Sequence, residues 1–154
     1  MKLHEQMPEL NGATVWLNGR YEKADLIGRS PTLIHFWSIS CRLCKESMPY
    51  MNNLRSRFKD RLNIIAVHMP RSEEDLNLQQ IKKVAAEHNM THPIFVDGEL
   101  ILTDAFDNQY VPAYYLFDKK GRLRHYQTER SGMGMLRKRV DRLLNEMDRG
   151  DGRI

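Results

Sequence analysis

Cysteine is scarce in this chain: Cys41 and Cys44 are the only two in 154 residues. One such pair cannot form the multi-bridge framework of small secreted domains, so the fold must rest on an apolar core, which this length can supply. Long hydrophobic runs are missing too. No stretch approaches the ~18 apolar residues of a membrane-spanning helix. The opening Met1-Lys2-Leu3-His4-Glu5-Gln6-Met7-Pro8 lacks the hydrophobic centre of an export signal. With Met1 as the native start, the chain is expected to be cytoplasmic and to have no membrane partner. There are no repeats, linkers or low-complexity tracts, so residues 1–154 read as one domain with 149–154 as a frayed tail. An excess of one charge is nearly absent: 24 basic against 20 acidic residues give +4. The basic residues are scattered and no nucleic-acid-binding spacing accompanies them, so a solvated surface of mixed sign is expected, with no nucleic-acid partner. The protein is expected to be a monomer.

What is present is an alternation of strands and helices. Asn18-Gly19, flanked by Trp16-Leu17 and Tyr21, is a two-residue turn signal and predicts an N-terminal hairpin. The apolar run Thr32-Leu33-Ile34-His35-Phe36-Trp37 predicts a buried strand. From Arg42 to about Phe58 the spacing is helical, with Leu43, Met51, Leu54 and Phe58 on one face and Pro49 inside as a kink. Residues 62–67 predict a second buried strand. Ser72 followed by Asp75 resembles a capping box and predicts a helix to about His88. Strands are expected over 93–96, 113–117 and 122–127, the last two as an antiparallel hairpin. A short helix is expected over 100–106 and a closing amphipathic helix through Leu136, Val140, Leu143, Leu144 and Met147. The adjacent Tyr114 and Tyr115 alternate across a strand, which predicts one core and one surface residue. The fold class is α/β, a mixed central sheet with helices on both faces.

The chemistry concentrates at Cys41-Arg42-Leu43-Cys44, between the first buried strand and a helix. A thiolate is the reactive form of cysteine, and the unpaired N–H groups and dipole of a helix N-terminus favour it. Cys41 is therefore the candidate nucleophile, and Cys44, one turn on, the candidate resolving thiol. Arg42 adds positive charge beside Cys41 at the expected substrate surface. Two other readings stay open. The cysteines could be unrelated buried thiols. They could instead be half of a zinc site with His88 and His92, although these histidines fall on a separate predicted element and Pro93 follows directly.

Phe36-Trp37, the CxxC, Pro49 five positions after Cys44, and Val111-Pro112 together resemble the thioredoxin superfamily, specifically the TlpA/ResA-like thiol–disulfide oxidoreductases. The resemblance spans about residues 5–147. Residues 31–41, 68–73 and 110–114 are similar to a cytosolic member of that branch. The resemblance implies a thioredoxin-like fold in which residues 72–97 form the branch's central helix–strand insertion. It also implies a redox-active Cys41–Cys44 disulfide, a cis Pro112 facing it, and no organic cofactor or metal. It implies disulfide-containing protein substrates docked at Val111, Pro112 and Trp37, and an upstream thiol reductase as partner.

The departures are also informative. Ser40 precedes the first cysteine where the branch commonly has Trp, and Arg42-Leu43 replaces the common Gly-Pro or Pro-Pro. Export is typical of the branch, yet no export segment is seen here. His35 stands six residues before Cys41, where thioredoxin has a buried acid, and Ser47 stands where close relatives use Glu. His35 is then either a proton acceptor for Cys44 or a core histidine with its own partners; Glu46 is a second candidate acceptor. His68, at a strand end, reads as incidental. A peroxidase on the same fold would need Pro-x3-Thr-x2-Cys; Ser38 stands at the hydroxyl position, but Ile34 occupies the proline position.

Overall fold

A computed structural model describes residues 1–128 and 132–151. Its six strands are β1 (Val15–Leu17), β2 (Thr32–Trp37), β3 (Asn63–His68), β4 (Ile94–Val96), β5 (Ala113–Phe117) and β6 (Leu123–Thr128). They form one sheet in the order β1-β4-β3-β2-β5-β6. The central strands β2, β3 and β4 run parallel, while β1, β5 and β6 join antiparallel. All six residues of β2 are buried, as a central strand covered on both faces requires. The helices are α1 (Lys23–Leu26), α2 (Arg42–Phe58), α3 (Leu78–Glu87), α4 (Ile101–Phe106) and α5 (Met133–Asp151).

The period-2 alternation of β2 divides the core. Ile34 and Phe36 face one layer with Met7, Leu26 of α1, and Leu102 and Phe106 of α4. Leu33 and Trp37 face the other, under α2, α3 and α5. This is the mixed sheet with helices on both faces that the element order predicts. Both tyrosines of β5 are buried, correcting the expectation of one at the surface. Tyr114 lies beneath α2 and α5, and Tyr115 packs against Phe36 and Phe106.

Three local expectations change. The N-terminal hairpin does not form: β1 pairs antiparallel with β4, 77 or more residues on in register (Leu17 with Ile94, Val15 with Val96). The Asn18-Gly19 turn adopts positive φ at both residues, but the Asn18 side chain donates to the carbonyls of Met90 and His92, tying the turn to the start of β4. The helix expected from Ser72 is split. Glu73–Leu76 form a 3-10 turn, and α3 starts afresh with Asn77 Oδ1 accepting from Gln80 N–H. Ser72 makes no side-chain cap, and Asp75 turns inward, buried at 1% exposure. Leu43 is 45% exposed rather than on the buried face of α2, which is carried by Cys44, Met48, Met51, Leu54 and Phe58. At the C-terminus α5 continues through Asp151, so of the expected tail 149–154 the last three residues lie outside the described ones.

Buried Asp97 caps α4 from outside the helix. Its carboxylate accepts Leu102 N–H at 3.1 Å, Thr103 N–H at 2.7 Å and the Thr103 hydroxyl at 2.7 Å. Leu100, at the cap position itself, has φ 60 and supplies no side-chain acceptor. Asp97→Ala strands these donors and is expected to cost about 2 kcal/mol in urea unfolding. A loss below about 0.5 kcal/mol would show that water replaces the carboxylate.

Candidate active site

The N-terminus of α2 is built by Cys41. Its backbone is extended (φ −95, ψ 107) while its Sγ accepts Cys44 N–H at 3.1 Å. The sulfur thus occupies the position of a capping oxygen, where helix N–H groups favour negative charge. Cys41 and Cys44 are joined in a disulfide with Cα atoms 5.3 Å apart. Cys41 keeps 4% of its surface exposed, whereas Cys44 has none. Both cysteines are thus buried, the second completely.

The three residues before Cys41 are each anchored to the end of β3 or to the segment after it. The Ser38 hydroxyl donates to the Met69 carbonyl. Ile39 N–H donates to His68 Nε2 at 3.1 Å. The Ser40 hydroxyl donates to Asp75 Oδ2 at 2.8 Å. Met69 N–H in turn donates to the Trp37 carbonyl at 2.8 Å. The approach to the nucleophile is therefore fixed by partners 29–35 residues away in sequence. His68, which reads as incidental in the sequence, is in fact buried and packs edge-on against Trp37. Burial lowers its pKa to about 4, with the Asp75 charge partly opposing that shift. It is therefore neutral at pH 7 and free to accept. Residues 68–73 already carry a family resemblance, and a polar side chain at a predicted buried strand end was the available signal.

His35 does not stand alone beneath the site. Its Nε2 lies 2.9 Å from His92 Nε2, and His92 Nδ1 lies 3.0 Å from an Arg55 guanidinium nitrogen. Arg55 can only donate, so His92 Nδ1 accepts. Burial and the Arg55 charge hold the His92 pKa at about 3, so neutral His92 carries its proton on Nε2 and donates it to His35 Nε2. His35, held well below its ordinary pKa by burial, then His92, then Arg55, must carry its own proton on Nδ1. With Nε2 already accepting, neutral His35 has no free lone pair for a thiol proton. The second sequence alternative, a core histidine with its own partners, is the one realised. The His88/His92 metal reading also loses a ligand, because both His92 ring nitrogens are engaged inside the protein.

The remaining expected site residues divide. Val111-Pro112 is a cis peptide, as the resemblance implies. Pro112 lines a cavity of about 190 Å³ together with Leu43, Glu46, Tyr50, Tyr114 and Met133. Arg42 is exposed and pairs with Glu46 at 3.3 Å. Trp37 is 1% exposed and packs with Cys44 and Met48, so its expected place as a substrate wall is corrected to core behind the disulfide. The Ser38 hydroxyl, the one match to a peroxidase motif, is directed to the Met69 carbonyl.

A model of the Redoxin family matches residues 6–144. The chain belongs to the Redoxin family. Within it, the chain is 61% identical over 148 residues to the Bacillus subtilis protein named thiol-disulfide oxidoreductase YkuV, covering 96% of this chain and 100% of that one. It is 29% identical over 109 residues to the thiol-disulfide oxidoreductase ResA of Geobacillus thermodenitrificans, covering 70% of this chain and 60% of ResA. A solution structure of a thioredoxin-like protein in the oxidised form superposes with a TM-score of 0.88 at 62% identity, over 95% of this chain and 99% of that one. This Redoxin chain therefore has the thioredoxin-like fold and the TlpA/ResA-like relatives that its motifs imply.

Proposed function

We propose that the protein is a thiol–disulfide oxidoreductase that reduces disulfides in substrate proteins. The observation that carries this reading is the Cys41–Cys44 disulfide at the start of α2, with Cys41 as the helix cap and Cys44 fully enclosed. In the reduced protein the Cys41 thiolate attacks a substrate disulfide. One Cys41–substrate S–S bond forms, the substrate S–S bond breaks, and one substrate thiolate leaves. Cys44 then loses its proton and attacks the Cys41 sulfur. The internal disulfide forms, the second substrate thiolate leaves, and two electrons have passed to the substrate. With His35 Nε2 engaged, the proton of Cys44 goes to the departing thiolate or to water. Val111 and Pro112 are the docking edge for an extended substrate segment, with Arg42 at its rim. We place the reaction in the cytoplasm, as part of cell redox homeostasis, where an upstream thiol reductase restores the dithiol. No described helix is long and apolar enough to cross a membrane.

The test is a trap. Cys44→Ser removes the second attack, so mixed disulfides with substrate proteins should accumulate through Cys41 and disappear on adding dithiothreitol. The wild type should reduce insulin disulfides. No adducts from a lysate together with no insulin reduction would overturn the assignment.

A further inference from the structure

A guanidinium is fixed one residue from the nucleophile, and the exchange chemistry above does not use it. Arg71 follows β3, and its backbone N–H donates to Asp75 Oδ2 at 2.9 Å. Its Nε and Nη2 donate to the Ser40 hydroxyl at 3.2 and 3.0 Å. That hydroxyl gives its own proton to Asp75 Oδ2 at 2.8 Å. Asp75 is buried at 1% exposure, so its carboxylate is a rigid anchor for both residues. The ring of contacts Asp75–Ser40–Arg71 holds an exposed arginine on Ser40, the residue before Cys41, through its main chain and its side chain together.

The guanidinium keeps an unused face. Of its five N–H donors, two are spent on Ser40. Among the described residues the edge formed by Nη1 and the second Nη2 hydrogen has no partner, and this is an edge that binds a carboxylate through two parallel bonds. Among the described residues no carboxylate lies within 4 Å of it, whereas Arg42 is paired with Glu46. Fixing the side chain in advance also removes much of the ordering cost that makes most surface ion pairs weak.

We propose that Arg71 is a specificity residue that receives an acidic side chain flanking the reactive cysteine of the substrate, so that acid-flanked disulfides are the preferred substrate class. This rests on the oxidoreductase reading and adds the substrate's charge to it.

The experiment uses three short peptides whose cysteine is flanked by Glu, Gln or Lys, each disulfide-bonded to the same chromogenic thiol. For the reduced wild type, kcat/KM should be about three- to tenfold higher for the Glu peptide than for the Lys peptide, the range expected of one pre-ordered ion pair. The preference should shrink in high salt. Arg71→Met should bring the Glu-to-Lys ratio near one, and Arg71→Glu should invert it. A second readout needs no turnover: the rates at which iodoacetate and iodoacetamide alkylate Cys41 in the Cys44→Ser background. Their ratio should fall several-fold in Arg71→Met as the site loses its affinity for a carboxylate. If the wild type reduces none of the peptides, the oxidoreductase reading fails, and the alkylation ratio still judges Arg71. A wild-type Glu-to-Lys ratio within about twofold of one, or a preference and alkylation ratio that persist in Arg71→Met, would overturn the proposal.

Discussion

Cys41→Ser should lower disulfide reduction at least about 1,000-fold, because a serine hydroxyl at neutral pH supplies almost no anion to attack a sulfur. The same substitution should leave the reduced fold nearly as stable as before. Serine is a preferred residue at a helix N-cap, and its oxygen can accept the Cys44 N–H that the Cys41 sulfur accepts now. Cys44 cannot stand in as nucleophile, since it has no exposed surface. Cys41→Ser and Cys44→Ser therefore fail differently: the first forms no adduct, and the second forms an adduct that it cannot release. The comparison must use reduced wild type, so that loss of the disulfide is not counted as loss of the side chain. Insulin turnover together with urea unfolding of the reduced proteins checks both halves. Residual activity above a few per cent in Cys41→Ser would move the nucleophile to Cys44 and contradict the enclosure of that sulfur.

The features legible in the sequence are those written in short-range pattern. The unbroken apolar run 32–37 specifies a strand covered on both faces. The 3.6-residue spacing of Met51, Leu54 and Phe58 carries α2 through Pro49. The two-residue gap between Cys41 and Cys44 fits the one turn that separates a cap from its third helical residue. What was not legible depends on partners remote in the chain. A turn signal at Asn18-Gly19 cannot say that β1 will find β4 rather than a neighbour. Asp75 looks like half of a capping box until Ser40, 35 residues earlier, supplies a better donor. His35 looks like a replacement for a buried acid until His92 and Arg55 take its lone pair. Tyr114 and Tyr115 alternate as expected, but alternation separates core from solvent only where one face of the sheet is open, and here the helices cover both.

Those buried histidines make stability depend on acid. His35, His68 and His92 are each enclosed and each held below the ordinary histidine pKa: His68 at about 4, His92 at about 3, His35 well below 6.5. In the unfolded chain all three titrate near 6.5. Between the folded and unfolded values the unfolded state binds more protons, so unfolding becomes more favourable as pH falls. The stabilisation is complete above pH 6.5 and declines steadily below it, down to each folded pKa. Between pH 7 and pH 5 His68 and His92 are each expected to remove about 2 kcal/mol, since the unfolded form gains its proton while the folded form does not, and His35 adds a loss of the same sign. His68 gives the separable case. His68→Gln retains an acceptor for Ile39 N–H but cannot titrate, so its stability between pH 7 and 5 should fall by about 2 kcal/mol less than that of the wild type. His68→Leu removes the acceptor and should be destabilised by about 1–3 kcal/mol even at pH 7, with an unpaired Ile39 N–H beside the nucleophile. Urea unfolding of the reduced proteins at pH 7, 6 and 5 measures both. A wild-type stability that stays flat across this range would mean that the histidines are charged in the fold. Then His92 could not accept from Arg55, and the proton assignment of the His35–His92 pair would fail with it.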